Sequence, residues 1–380
     1  MEILFTICGR AGSKGFKNKN LKYLAGKPLV HFALAMIDIY QQKHPEHNCT
    51  TCLNTDSNIY IGGKRMSCYL ITGGAGFIGS TLANHLGEEH VVIVVDDLSM
   101  GKVENLDMTK NITFIEGDVA EKSLMEEIMK ANKFDYIFHL AAVASVADSV
   151  ARPVETHRVN FESVLMILEL IRKYQPDLKR IVFSSSAAVY GDEPTLPKKE
   201  ESVIRPLTPY AVDKFAAEQY VLDYCHLYDV PGSAVRFFNV YGPNQNPNSP
   251  YSGVISILVD RYKKQIVGEA TSFTLFGDGS QSRDFVYIDD VIQALLLVAN
   301  EEAALGKQFN VGTGKATTLL ELIHAINEIL GVELTLEYKE ERSGDIHDSL
   351  ADITKIQSIG YQPKYGILSG MTNYLKTEIN

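Results

Sequence analysis

The sequence predicts an α/β chain built on a doubly wound parallel sheet. Three observations predict it. Short apolar, β-branched runs alternate with longer helical stretches from residue 67 onward. A glycine-rich loop follows the first run of that region and opens a helix. An acidic residue closes the second run. Continuous β-branched runs suit strands covered on both faces, and their alternation with helices suits a parallel sheet.

In chain order, Cys68–Thr72 reads as the first strand of this sheet, Gly73–Gly79 as the loop, and Ser80–Leu86 as the helix. Val91–Val95, Ile112–Ile115, Tyr136–His139, Ile181–Phe183 and Ser233–Phe237 read as further strands. Lys122–Lys130, Val159–Tyr174 and Tyr210–Leu227 read as the helices between them. Residues 67–238 are therefore expected to form a Rossmann domain that carries the catalytic residues. Residues 239–380, richer in Gly, Pro and Asn at first, are expected to form a smaller substrate-binding region interleaved with the sheet. Such a segment commonly lies over the carboxyl edge, where ligands bind.

The first 61 residues form a separate piece, with 62–66 as a linker. Ile3–Cys8 reads as a strand, Gly9-Arg10-Ala11-Gly12-Ser13-Lys14-Gly15 as a loop, and Leu29–Tyr40 as a helix. Residues 1–66 hold nine Lys/Arg and four Asp/Glu, a net +5, whereas the whole chain carries −11. A sign change of this kind separates two pieces with different partners. The acidic total argues against a nucleic-acid surface as the main function. No apolar run is long enough to span a bilayer. The opening Met1–Phe5 reads as a strand rather than a signal peptide. A cytoplasmic protein is the expectation. Five cysteines, an odd and sparse set, do not make a disulfide framework. His44, His47, Cys49 and Cys52 are zinc-type side chains, but their spacing is shorter than in common zinc modules, so no metal is expected.

Gly74-x-Gly76-x-x-Gly79 fits a dinucleotide fingerprint, with Gly73 adding a second glycine spacing. Its context is the required one: strand before, helix after, Asp96 at the next strand end. The glycines let the backbone approach a pyrophosphate at the helix N-terminus. Asp96 is expected to accept from the adenosine ribose and to repel a 2′-phosphate, so NAD is favoured over NADP. Tyr210 and Lys214 are four residues apart, which places them on one helix face. Ser186 closes a run of three serines at a strand end. A phenol is a poor base at neutral pH unless positive charge nearby favours its anion. Tyr210 is expected to be a general base, Lys214 its charged partner, and Ser186 a second hydrogen bond to the same reacting hydroxyl.

These segments together resemble the extended short-chain dehydrogenase/reductase family. TGGAGFIGS (72–80), FHLAA (138–142), FSSSAAVYG (183–191), PYAVDK (209–214), RFFNVYGP (236–243) and GDGSQSRDFVYIDD (277–290) fall in family order over residues 67–380. The resemblance implies oxidation at the sugar C4 of a nucleoside diphosphate sugar by tightly held NAD. It places the cofactor along Gly73, Gly76, Phe77, Ile78 and Gly79, then Asp96, Asp97, Ser99 and Gly101. Asp118, Val119, Leu140, Ala141 and Ala142 continue that line, and Ser184, Tyr210, Lys214 and Phe237 complete it.

Dehydratases of the family carry an Asp-Glu pair after the catalytic hydroxyl, and decarboxylases of the glucuronate type carry a Glu. Here Ala187 and Ala188 supply neither. Reversible 4-epimerisation is the economical reading, although many 4-epimerases have Thr or Ser at position 188. Ser186, Asn239, Val254, Arg283, Arg342, Asp345 and Ser349 are the implied substrate residues. Ser349 stands where a Tyr restricts some epimerases to non-acetylated hexoses. Its small side chain, with PNSPYSGVI (247–255), resembles epimerases that act on UDP-N-acetylglucosamine. A UDP-glucuronate or other uronate 4-epimerase stays open, as does a non-catalytic sensor of NAD or a nucleotide sugar. A homodimer is implied by the resemblance. Residues 7–30 and 53–60 resemble the beginning of acylneuraminate cytidylyltransferases, but the rest of that enzyme has no counterpart here. The N-terminal piece is therefore expected to be structural and to transfer no cytidylyl group.

Overall fold

The computed structural model describes residues 66–245, 253–340 and 346–379 in full. Before them it describes residues 40 and 42–44 and the backbone of strands Glu2–Gly9, Tyr23–Leu24, Lys27–Pro28, Asn48–Thr55, Ile59–Ile61 and Lys64–Met66. The chain divides into two compact units. One holds residues 1–68 with 89–91, the other 69–88 with 92–380.

In the first unit, Glu2–Gly9 runs parallel to Asn48–Thr55. Asn48–Thr55 pairs antiparallel with Ile59–Ile61, and Ile59–Ile61 with Lys64–Met66. Residues 64–66, expected as linker, are thus an edge strand. Ile61 is the register partner of Lys64. Of the helix expected over Leu29–Tyr40 only Tyr40 is described. Residues 10–15 of the expected loop and His47 lie outside the described residues, whereas Gly9 ends the strand Glu2–Gly9 and Cys49 and Cys52 fall on the strand Asn48–Thr55.

The second unit is built on a seven-stranded sheet: β1 (Cys68–Thr72), β2 (Val91–Asp96), β3 (Ile112–Glu116), β4 (Tyr136–His139), β5 (Arg180–Ser186), β6 (Gly232–Phe237) and β7 (Gln308–Val311). Their spatial order is β7-β6-β5-β4-β1-β2-β3. The ladders β2–β3, β1–β4, β4–β5, β5–β6 and β6–β7 are parallel. The order reverses between β1 and β4, and a crevice opens at such a switch point. The central strands are buried almost end to end: Leu70, Ile71, Val94, Val95, Ile137, Phe138, Ile181 and Val182 have no exposed surface. This burial explains their unbroken apolar runs.

Helices α1 (Phe77–Leu86), α2 (Lys122–Ala131), α3 (Val146–Ala151), α4 (Pro153–His157), α5 (Ser163–Tyr174) and α6 (Pro209–Tyr228) connect the strands through β6. The helix expected over Val159–Tyr174 differs at its start, because Arg158–Glu162 forms a π-turn and the α-helix begins at Ser163. Asn160 sits buried in that turn, where its amide accepts from the Val143 N–H at 2.8 Å and donates to the Val143 carbonyl at 3.1 Å. That tertiary pairing gives the wider turn a reason that helical periodicity does not contain. Beyond residue 239 the chain is interleaved with the sheet. Gln308–Val311 is its edge strand, while helices α7 (Val254–Ile266), α8 (Ile288–Asn300) and α9 (Leu319–Leu330) belong to the later region. No helix of the described residues is long and apolar enough to cross a membrane.

Candidate active site

The crevice at the switch point is a cavity of about 520 Å³. Its floor is the loop from β1 to α1. Gly73 has φ +67°, and a Cβ there would lie 2.7 Å from Cα of Ala141. A side chain at Gly79 would lie 2.2 Å from the Gly73 carbonyl oxygen, so helix and loop pack here only through glycine. Gly76 caps α1 without a side-chain bond, and no acidic residue stands in the first turn. The amides at this end are left to an anion.

Asp96 fastens the loop. Its Oδ2 accepts from the Ala75 N–H at 3.0 Å and its Oδ1 from the Leu98 N–H at 2.8 Å. Burial raises its carboxyl above the ordinary range, against the pull of these bonds. The Gly76 N–H bonds the same carboxylate, and of its roughly four lone-pair positions at least one is left for a ribose hydroxyl. Exposed Asp97 accepts from both the N–H and the hydroxyl of Ser99. Phe77, Ile78, Gly101, Asp118, Val119, Leu140, Ala141, Ala142, Ser184 and Phe237 also line the cavity, so all the positions named above for a cofactor share it.

The opposite wall carries the titratable group. Thr208 caps α6, its Oγ1 accepting from the Ala211 N–H at 3.3 Å, and Pro209 takes the first helical position. Tyr210 and Lys214 follow on the first turns and line the same cavity as Ser186. The Ser186 hydroxyl bonds the Tyr210 phenol. Burial pushes that phenol above its ordinary value, and the Ser186 bond opposes it. Lys214 Nζ donates to the Ser184 carbonyl at 2.7 Å. Burial pulls the Lys214 ammonium down to about 7, with Asp213 opposing. His139, beneath, is pushed down to about 3 by burial and by Lys214, so it is neutral. Its Nδ1 lies 2.8 Å from the Thr72 hydroxyl.

Asn239, Val254, Arg283 and Ser349 lie outside the lining of this cavity. Asn239 is exposed and begins a three-residue strand paired with Phe285–Tyr287. Val254 is the first residue of α7. Arg283 and Ser349 are brought together as ladder partners, 66 residues apart in sequence. Buried Asp284 holds that region, accepting from the N–H groups of Thr313, Gly314 and Ala351 at 2.7, 2.9 and 3.3 Å. Arg342 and Asp345 lie outside the described residues. The cavity also contains residues absent from the sequence reading, among them Val143, Ser145, Asp148, Arg152, Asn244 and Gln245. No glycine spacing or strand end marks them. Asn160, deep in an apolar helical stretch and pinning Val143, was the one available signal.

Residues 69–312 match the model of the NAD dependent epimerase/dehydratase family. The UDP-glucose 4-epimerase of Mycolicibacterium smegmatis is 37% identical over 308 residues, covering 80% of this chain and 95% of that protein. A UDP-N-acetylglucosamine 4-epimerase from Methanobrevibacter ruminantium, solved with UDP-N-acetylmuramic acid, has 36% identity and a TM-score of 0.75, covering 83% of this chain and 97% of that one. The UDP-glucose 4-epimerase of Thermus thermophilus, solved with NAD, has 33% identity and a TM-score of 0.73, covering 81% and 98%.

The chain belongs to the NAD dependent epimerase/dehydratase family.

It is an NAD-dependent enzyme, and this epimerase/dehydratase fits its cofactor. The glycine floor leaves no side chain between the α1 amides and a pyrophosphate. Asp96 and Asp97 line the same cavity at the end of β2.

Proposed function

We propose that this enzyme is a UDP-sugar 4-epimerase whose principal pair is UDP-N-acetylglucosamine and UDP-N-acetylgalactosamine. One observation carries the reaction type. Ser186, Tyr210 and Lys214 share one cavity, and the turn after Ser186, Ala187–Tyr190, begins with two alanines. No second acid or base follows the serine to eliminate water or assist decarboxylation. The relatives named above, acting on UDP-glucose and UDP-N-acetylglucosamine, support the UDP-sugar class. Small Ser349, paired with Arg283, supports the acetamido sugar.

NAD, when bound, supplies the acceptor and later the donor of the C4 hydrogen, and its positive ring favours a phenolate nearby. Tyr210 takes the proton from O4 and returns it once the sugar has presented its other face. Ser186 orients that hydroxyl by bonding both it and the phenol. The Lys214 ammonium, fixed by the Ser184 carbonyl, adds positive charge on the Tyr210 face of α6. Asp96, Gly73, Gly76 and Gly79 hold the cofactor. Arg283, together with Arg342, is assigned to the pyrophosphate of the substrate, for which a guanidinium is suited. Asn239 and Asp345 are assigned to the UDP moiety, and Val254 to the same side.

The test is to incubate purified protein with UDP-N-acetylglucosamine, UDP-glucose and UDP-glucuronate, without added NAD, and to resolve the C4 epimers. Turnover is expected to be fastest for the acetamido sugar. Preferred turnover of UDP-glucuronate would replace the substrate assignment. Retained NAD with no turnover of any sugar would replace catalysis with a binding role.

A further inference from the structure

Arg283 lies on the middle strand of a small three-stranded sheet, Ser282–Arg283, between Thr317–Thr318 and Asp348–Ser349. Strands this short make few ladder bonds, so side chains do much to set how they meet. The Asp348 carboxylate spans one of these junctions. Its Oδ1 accepts from the Ser282 hydroxyl at 2.6 Å and from the Ser282 N–H at 3.3 Å. Its Oδ2 lies 2.9 Å from Nδ1 of His347. The other ring nitrogen, Nε2, lies 3.3 Å from the Ser280 hydroxyl, which donates to Asp278 at 2.6 Å.

Ser282 and His347, the two residues that Asp348 grips, are also the two whose carbonyls hold Arg283. Arg283 Nη1 donates to the Ser282 carbonyl and to the His347 carbonyl, each at 2.8 Å. The His347 carbonyl accepts from the Ser282 N–H as well, at 3.1 Å. One carboxylate therefore ties together both supports of one guanidinium arm, across 64 residues of sequence.

We propose that Asp348 is a positioning residue for Arg283: by clamping Ser282 to His347 it fixes the two carbonyls that set the direction of the guanidinium toward the substrate diphosphate. The proposal rests on the assignment of Arg283 to that diphosphate.

The physical gain is pre-organisation. An arginine has a long stem with many rotamers, and ordering such a side chain on binding weakens affinity by roughly two- to tenfold. Holding one arm beforehand removes part of that cost, and a guanidinium reads phosphate oxygens only at a set angle. Both carbonyls are neutral, so these bonds set the direction of the fork without placing an anion against it. The clamp also persists at neutral pH. The Ser282 hydroxyl and His347 hold the Asp348 carboxyl below its ordinary range, so it stays ionised.

The experiment uses the full-length holoenzyme and its variants Asp348→Ala, Asp348→Asn, Ser282→Ala, Arg283→Ala and Asp348→Ala/Arg283→Ala. It measures kcat and KM for UDP-N-acetylglucosamine, inhibition by UDP and by uridine, bound NAD and thermal unfolding. Inhibition by UDP reads the diphosphate site whichever sugar is turned over best. Asp348→Ala is expected to raise KM and the UDP inhibition constant about five- to tenfold. It should leave kcat within about twofold, as expected when only binding shared by ground and transition states is lost. Uridine, which has no phosphate, should inhibit the variant and the parent alike. Asp348→Asn keeps an oxygen for Ser282 and should retain most of the affinity. Ser282→Ala should weaken UDP in the same direction by less, and it carries the decision if Asp348→Ala does not fold. In the Arg283→Ala background Asp348→Ala should add nothing. Equal weakening of UDP and uridine, or a full Asp348→Ala effect in the Arg283→Ala background, overturns the proposal and leaves Asp348 a structural group. If Arg283→Ala itself leaves KM and UDP inhibition unchanged, the assignment of Arg283 to the diphosphate fails, and the proposal with it.

Discussion

Arg236 is the largest fully buried side chain of the described residues. Its guanidinium donates from Nε to Glu218 at 2.9 Å and from Nη2 at 2.5 Å, while Nη1 reaches the Tyr190 hydroxyl at 2.8 Å. Tyr190 in turn donates to Asn310 at 2.6 Å, so one ion pair ties α6, β6, β7 and the turn after Ser186 together. Breaking a buried pair strands the other charge. Glu218→Ala is expected to lower unfolding stability by about 3–5 kcal/mol in denaturant titration. Replacing both partners with apolar residues of similar volume should recover most of that loss. At Ser349 the expected effect is on chemistry instead. Ser349→Tyr should reduce kcat/KM for UDP-N-acetylglucosamine by at least ~10-fold more than for UDP-glucose, a difference within reach of one filled pocket. Equal losses on both sugars would remove Ser349 from the specificity argument.

At the scale of elements, α1 and α6 do most to place the chemistry. One is held against the sheet by glycines, the other by a Thr–Pro start. α3, α4, α6 and the segment just before α6 also leave an apolar face: Val150, Val154, Leu207 and Val212 are 63%, 80%, 57% and 49% exposed. A shallow depression containing Pro153, Val154, Leu207 and Val212 lies among them. Contiguous apolar surface of this kind marks an interaction site. We propose that it joins two copies of the chain. Sedimentation should give a dimer, and Val154→Asp with Val212→Asp should give a folded monomer. A dimer that survives both changes places the interface elsewhere. Much of this layout was legible beforehand. The β-branched runs found every strand through β6 to within about three residues at each end, because full burial writes itself into composition. The strand at 64–66 and the π-turn at 158–162 were not legible. A three-residue edge strand with two charged residues reads as a linker when its partner strand is unknown, and a π-turn keeps helical periodicity while Asn160 answers to Val143 across the fold.

At the scale of the whole molecule, the two compact units match the change of charge sign along the chain. We propose that the N-terminal unit, whose roughly 60 residues are marginal for an independent core, is structural. CTP titrated against the full chain is expected to show no binding and no competition with UDP-sugar turnover. Saturable CTP binding would give the unit a nucleotide-binding function. The sequence by itself gave away six of the seven strands and the glycine loop of the NAD site, and it named Ser186, Tyr210 and Lys214 as the candidates for the chemistry. These are local: a glycine spacing, an i,i+4 pair and a buried strand leave their marks within a few residues. Only the tertiary structure decided which distant groups act on them. It set Arg283 opposite Ser349, clasped residues 313–351 around Asp284, and turned Lys214 to the Ser184 carbonyl. It also put His157 against Asp213. Burial and through-space charge set the state of a titratable group, and neither has a fixed distance along the chain.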